Sequence, residues 1–253
     1  MITSRTALLQ AFEDLLQPAR FKDYGPNGLQ VEGKADIRRI VSGVTASLAL
    51  IEAAVAAQAD AIFVHHGLFW RGQSGTVTGW MKRRLALLLH HDINLYAYHL
   101  PLDAHPTLGN NAQLGVQLGL EGVGCFGDNN LGFLGQRSDG GAFDSAQDLA
   151  AHIEKQLNRP TILIDPAPAA IKKIAWCSGG AQGYFEAAIA AGADAFITGE
   201  ISEPQAHYAR ECGVVFIACG HHASERYGAP AVAGHVAAQL GLEHTFIDID
   251  NPA

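Results

Sequence analysis

The sequence predicts an α/β protein made of two similar α/β domains, and three observations carry that prediction. A long stretch recurs at a constant offset of 134 positions; each copy reads as strand, helix, strand; and each is followed by a third strand that ends on a histidine. "IVSGVTASLALIEAAVAAQADAIFVHHG" (40–67) aligns without gaps on "IAWCSGGAQGYFEAAIAAGADAFITGEI" (174–201). Glu52, Ala53, Ala54, Asp60 and Ala61 meet Glu186, Ala187, Ala188, Asp194 and Ala195. Alanine-rich helices match one another by composition, but here the flanking strands and the Ala-Asp-Ala junction match as well.

Taken in order, "TSRTALLQAFEDLLQ" reads as a helix with Thr3 or Ser4 as its cap, and Glu13 and Asp14 interrupt the apolar run that an export signal needs. "YGPNGLQVEG" (24–33) is a turn built on Pro26, Asn27 and Gly28, followed by a short strand that borders the site. "IVSGV" and "AIFV" are apolar runs of strand length around the helix-forming "SLALIEAAVAAQ". Two parallel strands joined by a helix form a crossover unit. "KRRLALLLHH" continues as a helix; Lys82, Arg83 and Arg84 read as its solvated face, and His90 and His91 sit at its end, where cations complement the dipole. "INLYAYH" (93–99) is the third strand, and "LGNNAQLG" (108–115) starts a helix capped by Asn110 or Asn111.

The glycine-rich "GDNNLGFLGQRSDGG" (127–141) is a linker or hairpin, so the domains are set at 1–125 and 126–253. A helix from "DSAQDLAAHIEKQLN" and a strand from "PTILID" precede the second copy, which ends in the helix "EPQAHYARE" and the strand "GVVFIACGH" (213–221).

With 48% hydrophobic and 17% charged residues the chain of 253 has the composition of a compact fold. A formal charge of -8 argues against a general grip on nucleic-acid phosphates, which is built from clustered Lys and Arg. Cys125, Cys177, Cys212 and Cys219 show no CxxC spacing and read as reduced packing residues. No stretch approaches the ~20 apolar residues of a membrane span, and the expected compartment is the cytoplasm.

In parallel sheets, ligands gather beyond the carboxyl ends of the strands. His65, His66, Asp103, His221 and Glu225 all fall there, and His99 and His221 are each followed four positions later by an acid. The expectation is a metal site in the cleft between the domains. Three imidazoles and two carboxylates suit zinc, manganese, iron, cobalt or nickel. Neighbouring side chains on a strand point to opposite faces, so at a strand end His65 and His66 diverge toward two ions, ~3.5–4 Å apart and bridged by Asp103 or Glu225. His99 is either a sixth contact or a group orienting Asp103, and His99 or His105 suits the shuttling of protons. His222 diverges from His221, and His152, His207, His235 and His244 receive no role.

The motifs "NGLQVEG", "VHHG", "HLPLDAH", "GNNAQL", "AWCSGGA", "DAFITGE" and "GHHASE", in this order, make the chain similar to the GTP cyclohydrolase 1 type 2 homologue family, also called the Nif-three-like family, in its short bacterial form. The resemblance implies two similar α/β domains, a dinuclear metal centre held by His65, His66, Asp103, His221 and Glu225, and ring-shaped hexamers. Pro101 departs from the polar residue many members carry there.

Two functions follow as expectations. One is a metal-dependent hydrolase of a nucleotide-like or other heterocyclic small molecule, with two divalent ions per subunit. The other is metal binding without turnover, as a delivery protein or ring-shaped scaffold. The sequence lacks a P-loop or dense basic cluster for a triphosphate, and regulatory contact with DNA is the weakest reading.

Overall fold

The structure, a computed structural model, describes residues 2–166 and 170–253. It divides into two compact units: residues 1–109 with 228–250, and residues 110–227 with 251–253. The division expected at 125/126 differs from this, because the chain leaves the first unit earlier and later returns to it.

In the first unit, β1 (Thr3–Ser4) leads into α1 (Arg5–Leu16), whose cap is Ser4: its hydroxyl accepts the Ala7 N–H. There follow β2 (Gly28–Val31), β3 (Asp36–Ile37), β4 (Arg39–Thr45), α2 (Leu48–Ala56), β5 (Ala61–His66), α3 (Gly79–His90), β6 (Asn94–Ala97) and the short α4 (Leu100–Ala104). The second unit runs through α5 (Asn110–Gln117), β7 (Leu120–Phe126), β8 (Gly132–Arg137), α6 (Ala146–Leu157), β9 (Ile162–Ile164), β10 (Ile174–Trp176), α7 (Phe185–Ala190), β11 (Ala195–Thr198), α8 (Glu203–Cys212), β12 (Val215–Ala218) and α9 (His221–Glu225). The chain then returns to the first unit with α10 (Gly228–Leu240) and β13 (Glu243–Phe246).

The first unit holds a five-stranded sheet in the order β13-β4-β5-β6-β2, parallel except for β2, and β1 pairs with β3. Alternation sorts its side chains. Ile40, Ala61, Phe63 and Tyr96 face α1 and α10, packing with Leu8, Phe12, Val232 and Val236. Val41, Ile62, Val64 and Leu95 face the opposite way, against Leu50, Ile51, Ala54 and Leu88 of α2 and α3. This is why residues 228–250 belong here: β13 pairs parallel with β4, from Glu243 opposite Arg39 to Phe246 opposite Ser42, and α10 buries its small apolar face in the same core as α1.

The second unit's sheet has the order β7-β8-β10-β11-β12-β9, with β10, β11 and β12 parallel and the rest antiparallel. Of the glycine-rich 127–141 segment, residues 127–131 are the return of the β7–β8 hairpin and 132–137 are β8 itself. Phe196 and Phe216 stand opposite each other on β11 and β12 and share an aromatic cluster with Phe185.

The same small device closes both crossovers. Asp60 accepts the backbone N–H groups of Arg38 and Arg39, and Arg39 reaches the Ala57 carbonyl at the end of α2. Asp194 accepts those of Lys172 and Lys173, and Lys173 reaches the Ala191 carbonyl at the end of α7. Ile40 pairs with Ala61 as Ile174 pairs with Ala195.

One expectation is corrected. Cys177 and Cys219 are buried, but Cys125 and Cys212 are exposed, so these two are not packing residues; all four are free thiols. At the start of α5, Asn111 Oδ1 accepts the Ser178 N–H and the Asn111 carbonyl accepts the Trp176 indole N–H, which ties the helix N-terminus to β10.

Candidate functional site

His65 and His66 end β5, and the alternation of that strand decides their surroundings. His65 continues the Phe63 side and is fully buried; His66 continues the Ile62 and Val64 side and is half-buried. Their partners differ accordingly. His65 Nδ1 lies 3.1 Å from the Tyr98 carbonyl, and His66 Nδ1 lies 3.1 Å from Thr45 Oγ1. A carbonyl only accepts, so His65 donates a hydrogen from Nδ1, and its Nε2 faces Asp103 Oδ1 at 3.5 Å. A histidine that ligates a metal commonly donates its other nitrogen to a carbonyl in this way.

His99 follows β6 as the cap of α4, where Pro101 occupies a first-turn position that suits its missing N–H. Asp103 sits on this helix, almost fully buried. The His99 ring lies 4.9 Å from that of His65 and 5.8 Å from that of His66, and those two are 4.4 Å apart, centroid to centroid. One ring nitrogen from each of the three lies within 4.8 Å of the others. The edge-on Trp70 ring, 5.0 Å away, walls His99 on one side. His99 Nδ1 lies 2.7 Å from Asp23 Oδ1.

Asp23 is therefore a member of this cluster. Burial pushes its carboxyl up, but hydrogen bonds from His99 and Asn27, the His99 charge and the Tyr24 amide outweigh burial and hold it down at about 2. His105 stands elsewhere: its Nδ1 accepts the Leu108 N–H at 3.0 Å, and it lines a cavity with Leu15, Arg20, Phe21 and Pro101 rather than the His65 and His99 cavity. Burial, with His235 nearby, lowers its pKa.

In the second unit, His221 opens α9 and Glu225 lies one turn on, so both project from one face. His221 Nε2 is 3.2 Å from Glu225 Oε2, and Nδ1 is 2.6 Å from Glu200 Oε1. Burial opposes charge on His221, yet Glu225 and Glu200 outweigh it and raise the pKa to about 9. Two carboxylates on one imidazole favour a positive charge between them, which a divalent cation supplies as well as a proton does. In the loop after β10 the glycine at 179 leaves room for the carboxylate: a β-carbon there would overlap Glu225, whereas one on Gly180 would make only ordinary contact with Glu200 and His221.

Asp23 and Glu200 are not among the residues that the sequence singles out. Glu200 does carry a signal, since it stands 134 positions after His66. Asp23 carries no local one. His90 and His91 end α3 as expected, and His152, His207 and His244 are tied to the Leu118 carbonyl, Glu203 and Ser42.

These features define a mixed α/β protein with histidine and carboxylate groups able to hold a metal ion. The chain belongs to the Duf34/NIF3 (NGG1p interacting factor 3) family, whose model matches residues 3–252. It is 54% identical over 243 residues to a GTP cyclohydrolase 1 type 2 homolog of Neisseria meningitidis serogroup A, covering 95% of each chain. It is 50% identical over 259 residues to the protein of that name from Pseudomonas aeruginosa, covering 100% of each. Among solved structures, a protein described as ybgI, of unknown function, superposes with a TM-score of 0.95 at 46% identity, over 99% of this chain and 100% of the other. TTHA1606 from Thermus thermophilus gives 0.87 at 31%, again over 99% and 100%. Among the described residues, no helix is long and apolar enough to cross a membrane.

Proposed function

We propose that the protein is a metal-dependent hydrolase of a nucleotide-like or other heterocyclic small molecule, holding two divalent ions through His65, His66, Asp103, His221 and Glu225. The observation that carries this reading is the orientation of His65, whose Nδ1 donates to the Tyr98 carbonyl while its Nε2 faces Asp103. The donor set is imidazole nitrogen and carboxylate oxygen, which suits zinc, iron, manganese, cobalt or nickel. When bound, such ions supply Lewis-acid activation of water near neutral pH.

The chain's own groups do the rest. Tyr98 and Thr45 orient His65 and His66, and Glu200 orients His221. His99, its Nδ1 beside Asp23, is the group placed to handle protons next to His65 and His66. His105 gains no such support, because its Nδ1 serves the turn before α5. The same reading includes a small-molecule partner, assembly into a homohexameric ring and an origin of the two sheets by duplication. Supporting the last are the Asp60 and Asp194 bonds and the equal strand registers.

Elemental analysis of metal-reconstituted protein, with a screen of nucleotides and pterin precursors, tests the proposal. Two ions per chain and metal-dependent turnover lost in His65→Ala, Glu225→Ala are expected. Tight metal without turnover across the panel would make this a metal-binding or metal-delivery protein, and no stoichiometric metal would end both readings.

A further inference from the structure

Asp23 is a charged group for which the five-ligand reading has no use, and its side chain is only 3% exposed. A buried carboxylate is costly unless donors surround it. Here there are four. His99 Nδ1 and the Tyr24 amide reach Oδ1, both at 2.7 Å, while Asn27 Nδ2 and the Leu100 amide reach Oδ2, both at 2.9 Å. Asn27 in turn accepts the His99 backbone N–H through Oδ1 at 2.7 Å. The short 23–27 segment thus grips both the backbone and the ring of His99, and the Trp70 edge closes another side.

The partners of Asp23 decide its chemistry. Three of them, the Tyr24 and Leu100 amides and Asn27 Nδ2, can only donate, and a carboxyl gripped by three such donors is held in its ionised form. Facing it, His99 must carry its hydrogen on Nδ1. We infer that Asp23 is a positioning residue that fixes His99 as the Nδ1–H tautomer, making Nε2 the acceptor for a hydrogen of the water or substrate beside His65 and His66. The inference rests on the hydrolase reading for the purpose of that acceptor, but its geometry is open to measurement in the metal-free protein.

The test is two-bond proton–nitrogen correlation spectroscopy on full-length protein labelled with nitrogen-15 histidine, as wild type, Asp23→Asn and Asn27→Ala. Beside it run zinc content and steady-state kinetics with any substrate from the screen. Wild-type His99 should be the single Nδ1–H tautomer. Asp23→Asn, which sets an amide NH2 among donors, should give a tautomer mixture and lower kcat by about 10²–10⁴-fold with KM within about threefold. Zinc content should not change, whereas Asn27→Ala should keep the wild-type tautomer. A wild-type His99 carrying hydrogen on Nε2, or a folded Asp23→Asn protein with unchanged tautomer and kcat, would overturn the inference. If Asp23→Asn does not fold, the wild-type spectrum alone decides. Absence of turnover counts against the hydrolase reading and leaves the tautomer to decide this one.

Discussion

Gly179 leaves Glu225 the space its carboxylate occupies, and no residue with a β-carbon fits there without displacing it. Gly179 also has a φ of +68°, a conformation that L side chains seldom adopt. Gly179→Ala should therefore push Glu225 off His221, cost about 1–3 kcal/mol in urea unfolding, and lower zinc content. An alanine variant with wild-type zinc content and stability would show that this proximity is immaterial.

Asp60 and Asp194 each hold two adjacent backbone N–H groups at the start of a crossover, and Asp60 also pairs with Lys34 at 2.8 Å. For Asp60, burial raises the pKa but is outweighed by Lys34 and the Arg38 and Arg39 amides, so the net direction is downward. Either Asp→Ala change strands two amides and should cost about 1–2 kcal/mol, after allowing for solvent around both sites. Hydrogen exchange at Arg38 and Arg39, or at Lys172 and Lys173, should quicken in the matching variant only.

The depressed pKa of Asp23 sets an acid dependence. Its folded value, about 2, lies below the ordinary 3.8, so the folded state favours the ionised form. The stability it contributes, about 2 kcal/mol, is complete above the ordinary value and is lost as pH falls through that range toward 2. Unfolding free energy measured from pH 5 to 2 should fall less steeply in Asp23→Asn than in wild type.

Phe12 lies at the centre of an aromatic group in the first unit, 4.5 Å from Phe63, 5.5 Å from Tyr96 and 6.0 Å from Tyr98. Phe12→Ala should cost about 3–5 kcal/mol, and because Tyr98 also supplies the carbonyl under His65, it should loosen metal binding. Calorimetry with and without zinc measures both effects.

Local patterns make much of this legible. The strand-helix-strand copies, the Ser4 cap, the end of α3 at His90 and the position of His65 and His66 at a strand terminus all follow from periodicity and composition over a dozen residues. What escapes is non-local. The pairing of β13 with β4 joins residues about 200 positions apart, and nothing near Glu243 says which strand it will meet. The place of Asp23 is likewise set by tertiary contact, since His99 lies 76 residues onward. Glu200 stands in plain view at the repeat position of His66, but a repeat is recognised by like residues, and here a carboxylate replaces an imidazole.

The late return of α10 and β13 to the first sheet has a consequence for biosynthesis. While the ribosome is still producing residues 110–227, β4 has an unpaired edge and the sheet face that α10 will share with Leu8 and Phe12 is only partly covered. A nascent chain is thus kept from finishing its histidine-bearing lobe until nearly all of it has emerged. Prematurely terminated products would be left with a sticky, protease-sensitive half rather than a functional one.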